Sequence, residues 1–341
     1  MLQAKMTKPV EIVFEEVPIP GICDNEVLLK VRRIGVCGSD IHVYHGKHPY
    51  TSYPVIQGHE LSGEIVEAGG RVKDFGVGDF VTIQPQVTCG RCPPCIHGNY
   101  HICDNLKVMG FQTDGGAREY FAVDERKVIK LPESMSFDEG AMIEPTAVAV
   151  HALKRAGDVT GKKILILGAG PIGNLVAQVA RGKGAAAVMI TDVSEFRLNA
   201  AEKCNIEYRV NAKNSNLEEE LRSNFGEEKA DLILECVGIN ETIDQAIMLA
   251  RKGTDIIVVG VFGSKVNVDL GLVQDKELRL IGTLMYQRED FIEAIDLVKG
   301  KKINVKELIT DYFDFRDYSG AYMYIDEKKD RVMKVMIVVN E

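Results

Sequence analysis

Apolar and polar residues alternate in short runs along the first part of the chain, at 27–32 and 63–66, with a further run at 79–83. Pro18, Pro20, Gly21, Asn25, Gly46, Pro49, Pro54, Gly69, Gly70, Gly76 and Gly78 separate these runs. A period of two between turn residues predicts half-buried strands. Little before residue 145 repeats at helical spacing, so a β-rich first domain is expected. The texture changes after Pro145. Residues 147–156 read as a helix, Lys163–Leu167 as a buried strand, and 174–182 as a second helix after a glycine-rich turn. Strands are predicted at 187–191, 231–235, 256–260 and 278–281, with helices at 195–203, 240–249 and 290–299 and a mixed tail beyond. The acidic run 218–220 reads as a solvated helix face. Regular strand–helix alternation predicts a doubly wound parallel sheet covered on both faces, hence an α/β protein.

Length and charge narrow the functional classes. A chain of 341 residues suggests about two domains. Its 41 Lys+Arg against 50 Asp+Glu give a net charge of −9, which offers no general attraction to nucleic acid or anionic lipid. The longest apolar runs, such as 256–262, fall far short of the roughly 20 residues that span a bilayer. The first residues meet charge at Lys5, too early for a secretory signal. A cytoplasmic protein with neither nucleic-acid nor membrane partners is expected.

The cysteines add chemistry. There are 8, and Cys89, Cys92, Cys95 and Cys103 crowd into one loop with the spacing C-x2-C-x2-C-x7-C. In a reducing compartment such crowding points to metal rather than disulfides. Four thiolates close a tetrahedron around zinc with no open position, which makes a structural site; an iron–sulfur cluster is the alternative. His97 and His101 in the same loop are expected to be exposed, and Cys23, Cys204 and Cys236 to be packing residues.

Lys163–Leu167 runs straight into Gly168-Ala169-Gly170-Pro171-Ile172-Gly173. In a G-x-G-x-x-G turn the first glycine permits the bend, the second lets backbone approach a pyrophosphate, and the third lets the helix pack on the strand. The helix N-terminus then faces the phosphates. Asp192, at the end of the next strand, suits the adenosine ribose hydroxyls and repels a 2′-phosphate, which favours NAD. Arg197 is expected on the helix surface, where it could soften that preference.

Cys37 lies in Gly35-Val36-Cys37-Gly38-Ser39-Asp40-Ile41-His42, and His59 in Gly58-His59-Glu60. Each alone would be unremarkable. Together with the four-cysteine loop, Gly76-x-Gly78-Asp79, Asp114-Gly115-Gly116, Glu144-Pro145 and the dinucleotide turn, they resemble the zinc-dependent medium-chain dehydrogenase/reductase family over essentially the whole chain. Glutamate at 144, where the alcohol dehydrogenase branch carries a cysteine, is similar to sorbitol, other polyol, threonine and sugar-acid dehydrogenases. The resemblance implies two zinc ions per chain. One is catalytic, held by Cys37, His59 and Glu60 or Glu144; the other is structural, at the four cysteines. It further implies hydride transfer from a secondary hydroxyl to NAD, with Ser39 and His42 passing the proton to solvent. The alternatives for these two are a turn hydrogen bond and a plain surface histidine.

The implied fold is a GroES-like β-rich catalytic domain, residues 1–148 and 286–341, with a Rossmann domain at 149–285. A homodimer or homotetramer is implied, with sheet edges near 256–262 joining across subunits. Residues 37–60 resemble an L-galactonate oxidoreductase-like subgroup, which points to a polyol or sugar-acid substrate. His45, Lys47, His48 and Tyr50 are candidate contacts. Ala117 and Arg118 follow Asp-Gly-Gly where an aromatic is usual, so they are expected to reshape a pocket wall, with a small cationic pocket near His45, Lys47 and Arg118. An L-threonine 3-dehydrogenase-like or other secondary-alcohol dehydrogenase is the enzymatic alternative. A zinc- and NAD-binding redox sensor without turnover is the non-enzymatic one.

Overall fold

The strand Glu26–Val36 organises the first unit of the computed structural model, which describes residues 1–341. It pairs antiparallel with Glu60–Ala68, Tyr120–Asp124 and Lys334–Val338. The sheet containing it runs Ile309–Asp314, Lys334–Val338, Glu26–Val36, Glu60–Ala68, Phe80–Ile83, Val128–Lys130, with Tyr120–Asp124 off this path. Val27, Leu29, Val31, Ile34, Leu61 and Ile65 from the two longest strands meet Val335 and Ile337 in one core. Each such fully buried side chain contributes roughly 1.5–3 kcal/mol against exposure. The hairpin Leu2–Lys8 with Glu11–Glu16 also belongs here, although no run in the pattern marked it.

The first unit comprises Met1–Glu144, Gln287–Phe291 and Ile309–Glu341, and the second Pro145–Tyr286 and Ile292–Leu308. Residues 145–148, 286 and 292–308 therefore cluster with the second unit, contrary to the expected boundaries. The last difference has a visible cause. Asn304 exchanges two hydrogen bonds with Gln178 (2.6 and 3.3 Å), and Leu297 packs on Gly182, so this segment is built onto the helix Pro171–Gly182.

In the second unit six parallel strands lie in the order Tyr208–Asn211, Ala187–Asp192, Lys163–Leu167, Leu232–Glu235, Asp255–Val258, Arg279–Gly282. This is the expected doubly wound sheet, whose direction of travel reverses between Lys163–Leu167 and Leu232–Glu235. Two elements escaped the pattern, the short strand Tyr208–Asn211 and the helix Leu270–Asp275, whereas the acidic run 218–220 does lie on a helix, Leu217–Phe225. The helix after the glycine-rich turn starts at Pro171 rather than 174, because proline lacks only an N–H that the first helical turn leaves unused. The expected edge near 256–262 is corrected as well. Asp255–Val258 is paired on both sides, and Arg279–Gly282 forms the edge. No helix is long and apolar enough to cross a membrane.

Candidate functional site

The four-cysteine loop is closed at its base by the short pairing of Gln86–Val87 with Lys107–Val108. Within it Cys92 precedes the one-turn helix Pro93–Ile96, which starts on proline, and Cys103 follows the turn Tyr100–Ile102. All four thiols are free, and their sulfurs lie within 4.8 Å of one another. The backbone N–H groups of Cys89 and Asn105 each donate to Cys103 Sγ at 3.3 Å. Donors of this kind favour thiolates. The backbone N–H groups of Arg91 and Cys92 hold Cys89 down at about 6, whereas burial and the neighbouring sulfurs push Cys95 up to about 12. Sulfurs this close cannot all ionise without a cation among them, so the donor set fits zinc. His97 is exposed, with Nδ1 2.8 Å from the Pro93 carbonyl. His101 is not exposed as expected. Only 7% accessible, it is the buried residue of the turn Tyr100–Ile102.

A second cluster joins residues distant in sequence. Cys37 ends the strand Glu26–Val36 and caps the helix Gly38–Tyr44, while His59 and Glu60 enter the strand Glu60–Ala68. One ligand atom from each of Cys37, His59 and Glu60 lies within 4.8 Å of the others. Gly35 faces Glu60 across the sheet, and a Cβ there would sit 2.3 Å from Glu60 Oε2. The carboxylate thus occupies the space that glycine leaves open. Asp114-Gly115-Gly116 secures the same segment, with Gly115 N donating to Ile56 O (2.7 Å) and Gly116 N to Gly58 O (2.8 Å). Phe111 lies against the His59 ring, centroids 4.9 Å apart.

Asp40 Oδ2 accepts from Cys37 N at 2.9 Å, and Oδ1 lies 3.5 Å from His59 Nδ1. A carboxylate against one ring nitrogen fixes the tautomer and leaves the other nitrogen free as a ligand. Burial would lower the His59 proton affinity, yet the Asp40 carboxylate and the Cys37 sulfur together outweigh it and hold the ring well above its ordinary value.

Lys334 was not anticipated. It is 3% exposed, and its Nζ lies 2.7 and 2.6 Å from the two Glu60 oxygens and 3.2 Å from Val36 O. Burial alone would strip its proton, but Glu60, with Cys37 and Glu144 behind it, raises it above the ordinary lysine range. A solitary lysine inside the apolar run 332–338 was the available signal. Asp40, Glu60 and Glu144 are all buried here as well. The thiol, imidazole and carboxylate set of Cys37, His59 and Glu60 fits zinc. Glu144 is buried in the first turn of the helix Ile143–Arg155, outside the Cys37–His59–Glu60 trio.

The other predicted residues separate into groups. Ser39 and His42 lie on the helix Gly38–Tyr44, three apart and so on one side of it; Ser39 is half-buried and His42 exposed. His45 Nε2 pairs with Asp326 at 2.9 Å, and Arg118 pairs with Asp114 at 2.9 Å. The expected cationic pocket is therefore not formed, because these charges are met by local acids; Lys47 is simply exposed. Ala117 is buried in the core rather than in a pocket wall. His48 stacks beside Phe111, centroids 5.0 Å apart, and burial lowers its proton affinity. Tyr50 is 76% exposed and borders a surface hollow of about 370 Å³ with Pro54, Val55, Phe111 and Thr113.

In the second unit Gly168 has φ +100°, and a Cβ on Gly173 would lie 1.9 Å from Gly168 O, whereas Gly170 faces open space. That is the division of labour a phosphate-binding turn requires. Pro171 and Ile172, both half-buried, begin the helix. Asp192 Oδ2 accepts from Ala169 N (2.8 Å) and Oδ1 from Ser194 N (2.9 Å), so this acid ties the turn to the neighbouring strand end. Arg197 is not a free surface residue, since its guanidinium lies 3.7 Å from Asp192 Oδ2. Glu235, also unanticipated, is fully buried at the end of its strand. Its Oε1 accepts from Val237 N (2.8 Å), Gly238 N (2.7 Å) and Thr242 Oγ1 (2.7 Å).

Residues 23–133 match the alcohol dehydrogenase GroES-like domain, and residues 171–300 match the zinc-binding dehydrogenase domain. Sorbitol dehydrogenase of Bacillus subtilis is 31% identical, covering 100% of this chain and 98% of its own length. L-galactonate-5-dehydrogenase of Escherichia coli is 31% identical, covering 92% of each chain. An alcohol dehydrogenase from Escherichia coli CFT073, solved with the cofactor NADH, superposes with a TM-score of 0.92 at 29% identity over 99% of both chains. With full-length relatives of this kind and two donor sets that fit zinc, the chain belongs to the zinc-dependent medium-chain dehydrogenase/reductase family, in its polyol and sugar-acid dehydrogenase branch.

Proposed function

We propose that the protein oxidises a secondary hydroxyl of a polyol or sugar acid, with NAD as acceptor, at the site of Cys37, His59 and Glu60. The observation that carries this reading is the convergence of a thiol, an imidazole and a carboxylate within 4.8 Å, with Asp40 buried against the imidazole. Three protein donors of mixed type leave a coordination position for substrate. When bound, zinc supplies a Lewis acid that makes a hydroxyl easier to deprotonate, and the dinucleotide supplies the hydride acceptor.

The chain's own residues do the rest. Asp40 orients His59 and the Cys37 backbone, and Lys334 offsets part of the Glu60 charge. Ser39 and His42 take the substrate proton outward, from the half-buried start to the exposed end of their helix. In the second unit Gly168, Gly170 and Gly173 with the helix start at Pro171 hold the pyrophosphate. The Asp192 carboxylate disfavours a 2′-phosphate and so supports NAD over NADP.

Eight free thiols suit a reducing, cytoplasmic setting. The unpaired edge Arg279–Gly282, with exposed Leu280, Leu284 and Val261 beside it, suits a second copy of the chain, and we read the protein as a homodimer or a dimer of dimers. NAD reduction across a panel of polyols, sugar acids, L-threonine and simple alcohols tests the substrate class. Turnover with polyols or sugar acids, about two zinc per chain, and loss of turnover with NADH binding kept in Cys37→Ser are the expected results. Exclusive use of primary alcohols, or full activity of metal-stripped protein, overturns the reading.

A further inference from the structure

Gln57 is out of place by the ordinary rule that buried side chains are apolar. It follows the buried Val55 and Ile56, stands two residues before His59, and is itself only 2% exposed. Its amide is fully employed. Nε2 lies 3.1 Å from Asp40 Oδ1 and 3.3 Å from the Asp40 carbonyl, and Oε1 accepts from Tyr322 Oη at 2.9 Å. Tyr322, on the helix Tyr318–Lys328, is wholly buried, and its hydroxyl lies 3.4 Å from that of Tyr318, which is buried too.

The direction of this chain follows from its chemistry. An ionised carboxylate only accepts, so the amide must turn its NH2 toward Asp40 and its oxygen away. The oxygen then needs a donor, and the Tyr322 hydroxyl is the one supplied. With its proton so used, Tyr322 is left to accept from Tyr318. Every donor thus points one way, from Tyr318 through Tyr322 and Gln57 to Asp40. Asp40 in turn faces His59 Nδ1 and accepts from the Cys37 backbone. Two of the three groups that could hold zinc are therefore steered by one carboxylate, and that carboxylate is steered from the C-terminal part of the chain.

We propose that Gln57 and Tyr322 are positioning residues of the open metal site: they fix the rotamer of Asp40 and thereby the affinity and geometry of the Cys37–His59 pair for a divalent cation. The proposal rests on the proposed function, in that it takes this trio to be a metal site. Partners beyond the direct ligands are commonly worth about ten- to a hundred-fold in metal affinity. Gln57→Leu should weaken binding at this site by roughly ten-fold, and Tyr322→Phe, which removes one oxygen without changing shape, by a few-fold. Because both act through Asp40, the double variant should bind no more weakly than Gln57→Leu alone.

The test is titration of the full chain with Co(II) and Zn(II), reading affinity and the d–d absorption of the open site, with the four-cysteine site as internal reference. Thermal unfolding of the same samples is recorded alongside. The expected result is weakened binding and an altered open-site spectrum in both single variants, a non-additive double variant, and an unchanged cysteine-site signal. Unchanged affinity and spectrum in Tyr322→Phe overturn the proposal even if Gln57→Leu fails to fold, and so do additive losses. If Cys37→Ser binds as much cation as the unaltered chain, the metal-site reading itself falls, and this proposal with it.

Discussion

The two clusters of metal-binding residues in the first unit are built in opposite ways. In the cysteine loop the four donors come from one stretch, 89–103, and backbone N–H groups within that stretch stabilise the sulfurs. In the Cys37 cluster the donors come from a strand end, a loop and the next strand. Their supports, Gly35, Asp40 and Lys334, come from three places again. A loop that satisfies its own ligands can be altered without disturbing the sheet. A site assembled across strands cannot, because its charges are buried among them and compensate one another.

Four changes would break or sharpen this contrast. Cys103→Ser should have the largest effect, confined to its loop. Zinc binding to such cysteine sets is worth on the order of 10 kcal/mol, so residues 89–103 should open to protease and one metal should be lost. NADH binding to the same protein should be unaltered, which limited proteolysis and a fluorescence titration would check. Lys334→Met should come next, through the opposite route. It leaves Glu60 buried without its ammonium, at a cost of about 3–5 kcal/mol in metal-free protein, and denaturant unfolding should show much of that loss recovered on adding zinc. A loss that zinc does not reduce would separate the Lys334–Glu60 pair from the metal site.

Gly35→Ala is expected to cost about 1–3 kcal/mol, because the new methyl group displaces the Glu60 carboxylate rather than a flexible surface group. Metal analysis should show the open site depleted and the cysteine site full. Asp192→Asn should be the mildest. Replacing a charged acceptor of two backbone N–H groups by a neutral one should weaken NADH binding by roughly ten-fold, or about 1.4 kcal/mol, with both metal sites unaffected. It probes an intermediate case: the glycine-rich turn is contiguous, yet the acid that ties it down arrives from the next strand.

The same contrast explains which features could be read from the residues in advance. The alternation of strands and helices after Pro145 and the glycine-rich turn are local, and so were recognisable from spacing. Tyr208–Asn211 is too short, and its apolar contribution too small, to stand out from its flanks. Segment 292–308 looked like part of the return to the first unit, because only the exchange between Asn304 and Gln178 reveals where it packs. His45 looked like a substrate contact because its partner, Asp326, lies 281 residues away; Arg118 differs, since its partner Asp114 stands only four residues before it and was within reach of a sequence reading.

While the Cys37 and His59-Glu60 elements were marked only by resemblance to a family, residue type and spacing alone marked the four thiols at loop spacing and the dinucleotide turn. These depend on covalent neighbours, which the chain order specifies directly. The electrostatic setting was decided only by folding. Lys334 lies 274 residues from the carboxylate it neutralises, and Tyr322 lies 265 residues from the amide it orients. A buried charge or amide takes its properties from whatever the sheet brings alongside it, and for this site those neighbours come from the far end of the chain.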